Sequence, residues 1–281
     1  MSVKNFIPKI WSDKIFQSYD KNFVFAALAN REYEGEISAF GDQVKISEIG
    51  DFDTTAYTGS SLTYTEAEDA SKYLKIDQKY YIAKTLDDVD NAQTKPKLMN
   101  EITRKMGVAF ADNVDQYIAA LYSEAGETVT GTTGSPTSIT SANVTSTLRE
   151  AGTALSDNNV PRQGRVAVVP PWFSAKIDLA KVIRDTNNSL ITNDAYVGRY
   201  MGFDILESNN ISRSGTTWYA PMFFSAGDTI AFAEQLMEME ALRDKDAFKD
   251  YMRGLIVYGA KVVRPASLAI AYVAEGSETT I

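Results

Sequence analysis

One segment constrains the fold more than any other. Leu98, Ile102, Met106, Phe110, Val114, Ile118 and Leu121 recur every three or four residues, the spacing of one apolar stripe on an α-helix. Pro96 suits a first helical turn, and Asp88, Asp90 or Thr94 can cap its start. About 25 residues at 1.5 Å each give a rod of roughly 38 Å, longer than most globular helices. A rod of that length acts as a spine, and the other segments are read by how they attach to it. The chain has 281 residues, 44% of them hydrophobic, enough for one large domain or two modest ones with a real core.

Before the helix lie two arms. In residues 1–40 Trp11, Ile15, Phe16 and Tyr19 share one helical stripe, FVFAALA follows, and five acids balance five bases. That stripe needs a partner surface, either the chain's own core or a neighbouring subunit. Residues 41–90 carry 11 acidic and 5 basic side chains, which is −6 of the chain's net −9. Within them, residues 42–49 and 73–82 suit half-polar strands, with Val44 and Ile46 on one face of the first and Leu74, Ile76, Tyr80 and Ile82 on one face of the second. More than twenty residues rich in Gly, Ser, Thr and acid separate them, too many for a loop inside a compact domain. The reading is an extended, acidic, two-stranded arm.

After the helix, GETVTGTTGSPTSITSAN is Thr/Gly/Ser-rich and reads as a boundary. Residues 141–235 then alternate. A helix capped by Ser141 carries Val144, Leu148, Ala151 and Leu155; RVAVV is a short buried strand; PPWFSAKIDLAKVI is a helix opened by proline; FDILES is a strand; and two strands flank an AGD turn. MEMEALRDKDAF turns back into YMRGLIVYGAKVVR, a two-faced strand with Leu255, Val257 and Lys261 on one side and Ile256, Tyr258 and Arg264 on the other. At most one of Lys261 and Arg264 can face any one compartment, so the other is expected to pair with acid from a neighbour.

Several function classes are disfavoured. The chain has no cysteine and no histidine, which removes disulfides, thiolate nucleophiles, the usual triads and the usual zinc and iron sites. No apolar run approaches the ~20 residues of a membrane span. An excess of 37 acids over 28 bases repels phosphate backbones. Ser18-Tyr-Asp-Lys21 and Ser156-Asp-Asn158 match two of the three elements of penicillin-recognising serine hydrolases, but the K-T-G element is missing. Asp87, Asp88 and Asp90 lack the glycine and bidentate glutamate of a calcium loop and suit compensation of a helix dipole. The arm lysines, Lys45, Lys72, Lys75, Lys79 and Lys84, read as solvated strand-edge charges.

Taken in order, NFIPKIWS at 5–12, REYEGEI and GDQVKI at 31–46, DDVD before the long helix, ADNVDQYIAALY at 111–122, VAVVPPWF at 166–173, VGRYMGFDILESNN at 197–210 and YGAKVVRPASLA at 258–269 resemble a tailed-bacteriophage major capsid protein of the Hong-Kong-97-like fold. The resemblance implies an α+β chain: an N-terminal arm (1–40), an E-loop (41–90), the P-domain spine helix with its linker (91–140), an A-domain (141–235) and returning P-domain strands (236–281). It implies a non-enzyme without cofactor that assembles as hexamers and pentamers into a head shell around double-stranded DNA. Its partners would be itself, a scaffolding protein and a portal, with only weak contact to packaged DNA and none to membrane. No long scaffolding segment precedes the arm, which implies a separate scaffolding protein or numbering from a mature form. Candidate inter-subunit contacts are Trp11, Phe16 and Tyr19, the arm acids Asp51, Asp53, Glu66, Glu68 and Asp69, and the bases Arg104, Lys105, Arg243, Lys245 and Arg253. A nanocompartment shell protein of the encapsulin type, built on the same fold, is the alternative; a serine hydrolase is a remote one.

Overall fold

The structure is a computed structural model that describes residues 24–32, 43–49, 69–87, 97–180, 196–215, 217–243 and 249–277. The long helix is present as α2 (Lys97–Ala120), after a short α1 (Phe25–Leu28), and tightens into a 3-10 turn at Leu121–Glu124. Its inner stripe is Met106, Phe110, Val114 and Ile118, each 3% exposed or less.

That stripe packs on a three-stranded antiparallel sheet. β3 (Gln78–Asp87) and β12 (Ile230–Arg243) flank β13 (Lys249–Val262). The two faces read from the sequence of β13 are both buried. Ile256, Tyr258 and Val262 face α2, and Val257 faces the other way, against Ala231 and Ala233. Gly254 lets α2 approach, because a Cβ there would already touch the Phe110 ring at 3.4 Å.

On the sheet face away from α2 sits a hairpin of β1 (Gln43–Ile49) and β2 (Asp69–Lys75), held by Val44, Ile46, Leu74 and Ile76. The strand expected over 73–82 is therefore two strands in two sheets. β2 pairs with β1, the chain turns at Ile76–Asp77, and β3 pairs with β13. Leu74 and Ile76 turn into the core under the hairpin, Ile82 packs toward α2, and Tyr80 is exposed, with the polar Gln78 between the two pairs.

The remaining strands form a six-stranded sheet in the order β4-β14-β11-β6-β8-β7 and a four-stranded one in the order β5-β15-β10-β9. Their ranges are β4 Glu127–Thr130, β5 Thr137–Ile139, β6 Arg165–Val169, β7 Tyr196–Tyr200, β8 Phe203–Glu207, β9 Arg213–Ser214, β10 Trp218–Tyr219, β11 Met222–Ser225, β14 Leu268–Ala271 and β15 Val273–Glu275. All five residues of RVAVV are buried because this sheet is covered on both faces, the condition under which a strand reads as a continuous apolar run. Val166, Val168 and Phe224 join the α2 core; Ala167, Val169 and Phe223 join a second core under α3 (Val144–Asp157) and α4 (Pro171–Leu179), with Leu148, Leu155 and Phe173.

Several local expectations change. The stretch read as a boundary holds β4 and β5, which pair in parallel with β14 and β15; strands of four and three residues are too short to show a period. β14 and β15, expected beside the spine helix's strands, accordingly lie in the sheets of the mixed region. The AGD turn does not close a hairpin, since β11 and β12 belong to different sheets, and MEMEAL is strand rather than turn. Helix α3 starts after Asn143, not Ser141: the Asn143 side chain accepts from Thr140 N at 2.7 Å and donates to Ser138 O at 2.8 Å, fixing the chain just before the first turn. Inside the segment read as polar loop and strand, β7 and β8 form a hairpin whose two turn residues, Met201 and Gly202, have φ of 52° and 87°, the primed-turn geometry that suits twisted strands.

Candidate assembly interface

The three-stranded sheet presents β3 as an outer strand: it pairs with β13 on one side and with no strand among the described residues on the other. Large aromatics stand out beside it. Tyr81 is 75% exposed on β3, and Tyr73 projects from the outer face of the β1–β2 hairpin. An open edge with exposed tyrosines has the composition of a protein interface, where aromatic residues are enriched. Tyr80, beside Tyr81, turns the other way and stacks on Tyr258 at 5.9 Å, which in turn meets Tyr117 edge-on at 5.4 Å. Burial raises the Tyr117 phenol to about 12, helped by the nearby Asp77 carboxylate, to which its OH donates at 3.1 Å.

The hairpin is fastened to its own subunit by more than apolar contact. Lys72, expected as a solvated edge charge, is half-buried and its ammonium donates to the Val263 carbonyl. Lys261 does not await a neighbour: its ammonium donates to Glu124 Oε1 at 2.8 Å, at the end of the spine helix, and Glu124 also accepts from Val262 N at 3.4 Å. Of the two cations, Lys261 is paired within the chain, because the end of β13 runs past the 3-10 turn that closes α2.

Residues 24–32 pack on the same core. Asp115 on α2 is 2% exposed and accepts Phe25 N at 3.2 Å and Val24 N at 3.4 Å. Burial lifts its carboxyl to about 7, although those two N–H groups and the Asn210 side chain favour the charged form; the neighbouring Asp112 adds slightly to the rise. Asn30 then exchanges hydrogen bonds with β12, donating to Ile230 O at 2.8 Å and accepting from Phe232 N at 2.9 Å, and Arg31 pairs with Glu234.

The contact candidates read from sequence fall in different places. Trp11, Phe16, Tyr19, Asp51, Asp53, Glu66, Glu68 and Lys245 lie outside the described residues. Asp69 opens β2 opposite Ile49, and Arg243 ends β12 opposite Asp250. Arg104 and Lys105 are on the exposed side of α2, opposite Thr103 and Met106, which face inward. Arg253 is exposed on the sheet face away from α2, since its neighbour Gly254 meets Phe110. Arg104 and Lys105 thus lie on a different face from Arg253, with the helix and the sheet between them. The S-D-N match is structural: Ser156 Oγ donates to Gly152 O at 2.7 Å at the end of α3.

A long spine helix on a three-stranded sheet, a hairpin lying over that sheet and a two-core mixed region define a shell-forming subunit of the Hong-Kong-97-like capsid class. The family model for phage capsid proteins matches residues 72–271, so the chain belongs to that family. It is a phage capsid shell protein of the virion, from a family of structural proteins and not of enzymes. A structure from Mycobacterium phage Che8 is similar at 28% identity and a TM-score of 0.71, over 88% of this chain and 90% of that one. The capsid of cyanophage P-SCSP1u shares the fold at 20% identity and a TM-score of 0.71, over 90% and 89% of the two chains. A virus-like particle from Pyrococcus furiosus shares it at 10% identity and a TM-score of 0.60, over 92% and 96%. None of the curated proteins matches. Family and capsid neighbours together leave the nanocompartment alternative unfavoured.

Proposed function

We propose that the chain assembles as hexamers and pentamers into a closed icosahedral head around phage double-stranded DNA, in the host cytoplasm and with a scaffolding protein and a portal as assembly partners. One observation carries this reading beyond family membership: the outer strand β3 and its exposed Tyr81 lie beside a hairpin whose connecting residues, 50–68, include acids of the −6 segment. A two-stranded hairpin is marginal by itself in water, so a long acidic extension of it needs a surface to rest on, and a second subunit supplies one. In this reading the hairpin and β3 stay on their own subunit, and of the 41–90 arm it is residues 50–68, between the two hairpin strands, that cross to the neighbour. The arm's acids Asp51, Asp53, Glu66, Glu68 and Asp69 meet basic groups there, with Arg104, Lys105, Arg243, Lys245 and Arg253 as candidates. Each such pair contributes about 0–1 kcal/mol, but a shell repeats it hundreds of times and gains register from it. The acidic balance of the chain suits a container that holds DNA loosely.

Negative-stain microscopy and sedimentation velocity on the purified protein test the assembly. Closed particles and capsomers are expected; a stable monomer over a wide concentration range overturns the reading. Glu66→Lys, Glu68→Lys and Asp69→Lys together test the arm. The subunit is expected to stay folded by circular dichroism and to fail to close shells, and normal particles at normal yield in low salt would remove the arm acids from the interface.

A further inference from the structure

Arg165 opens β6 and is 2% exposed. Its guanidinium is saturated by neutral acceptors. Nε donates to Pro161 O at 2.9 Å, Nη1 to Gly152 O at 3.0 Å and Ser156 Oγ at 3.1 Å, and Nη2 to Ser156 Oγ at 3.2 Å and Val160 O at 2.6 Å. Every N–H has a partner, yet none of the partners is a carboxylate. A buried cation held only by neutral dipoles is costly, and the usual remedy is an opposite charge close by.

The nearest charges make the imbalance larger. Arg165 lies at a cavity of about 440 Å³ whose walls include Arg149, Arg162, Ser156, Met201 and Gly202, with no acid among them. Burial and the Arg162 charge both lower the Arg165 pKa, as expected when like charges are held together. Arg149 and Arg162 are exposed, and neither guanidinium makes a hydrogen bond or ion pair among the described residues. Three cations therefore line one concave site that no acid among the described residues neutralises. The strand turn at Met201–Gly202 forms one side.

We propose that this cavity is a socket for carboxylate side chains of a second copy of the chain. A carboxylate suits the chemistry, since guanidinium forks bind it with two parallel hydrogen bonds. A second copy suits the charge and the setting: each chain carries 37 acids against 28 bases, and a shell sets copies edge to edge. The site's shape argues against duplex DNA. A concave cavity with Met201 on its wall admits a side chain, whereas a phosphate backbone follows an extended basic track. The inference rests on the shell reading above.

The test compares shell formation by the wild type, Arg149→Glu/Arg162→Glu and Arg149→Lys/Arg162→Lys, scored by sedimentation and negative stain beside thermal unfolding. The glutamate pair is expected to unfold at the wild-type temperature and to lose closed particles by about tenfold or more, while the lysine pair keeps most of them. If the glutamate pair does not fold, Arg149→Gln/Arg162→Gln decides in the same assay, with the same loss expected. Normal shell yield from a folded charge-removed variant overturns the socket, and normal shells with less packaged DNA would overturn it in favour of phosphate. A wild type that forms no particles instead removes the shell reading on which the socket depends.

Discussion

Gly259 on β13 passes so close to the end of the hairpin that a Cβ there would lie 2.0 Å from the Lys75 carbonyl oxygen. This contact is where the chain leaves the β1–β2 hairpin for the three-stranded sheet, and it involves backbone on one side, which cannot rotate away. Gly259→Ala is expected to destabilise the subunit by about 1–3 kcal/mol or more, through forced separation of hairpin and sheet. Gly134→Ala, with nothing within 4 Å of its added carbon, is the control and is expected to be close to neutral. Urea denaturation of the two variants checks the difference.

Asp115 makes the attachment of residues 24–25 to the spine helix depend on pH. Its carboxyl titrates at about 7 in the fold against 3.8 as a free side chain, so the folded state binds more protons between those values. The stability contributed by the neutral form is fully present below about pH 4 and is lost as pH rises through about 7, at roughly 1.4 kcal/mol for each unit between the two pKa values. Asp115→Asn keeps an acceptor for the Phe25 N–H and removes the titration. Its unfolding free energy is expected to change less between pH 5 and 8 than that of the wild type, and equal slopes would count against the assignment.

The Lys261–Glu124 pair is half-exposed on both sides, at 40% and 31% of side-chain area, so screening keeps it weak. A double-mutant cycle on Lys261→Met and Glu124→Gln is expected to give a coupling of about 0.2–1 kcal/mol in the dissociated subunit. A coupling seen only in assembled particles would return Lys261 to an inter-subunit role.

Phe110 is 1% exposed on α2, packs over Gly254 of β13 and belongs to the core shared by the spine helix and the six-stranded sheet. Phe110→Ala is expected to cost about 3–5 kcal/mol, most of it from the cavity left between helix and sheet. Thermal unfolding checks this against Val108→Ala, where the side chain is 38% exposed and a change within about 0.5 kcal/mol is expected.

What the sequence determined by itself was local and periodic. Phe110, Val114 and Ile118 announce α2 because a helix repeats within four residues, and RVAVV announces a strand buried on both faces because no polar residue interrupts it. The alternation of Ile256, Tyr258 and Val262 with Val257 likewise marks β13 as two-faced before any partner is known. Only the tertiary structure decided which surfaces these elements meet. Leu74, Ile76, Tyr80 and Ile82 share one alternating face in the sequence, yet the chain changes sheets at Ile76–Asp77, since β3 is paired by a strand more than 150 residues further on. β4 and β5 become strands through β14 and β15, whose edges they complete. Glu124 reaches Lys261 across a separation of 137 residues, and Arg149, Arg162 and Arg165 share a cavity only once α3 lies over β6. Periodicity is written within a few residues of chain, whereas pairing and charge clustering come from long-range closure, in which shape and burial select one arrangement among many that the local pattern allows.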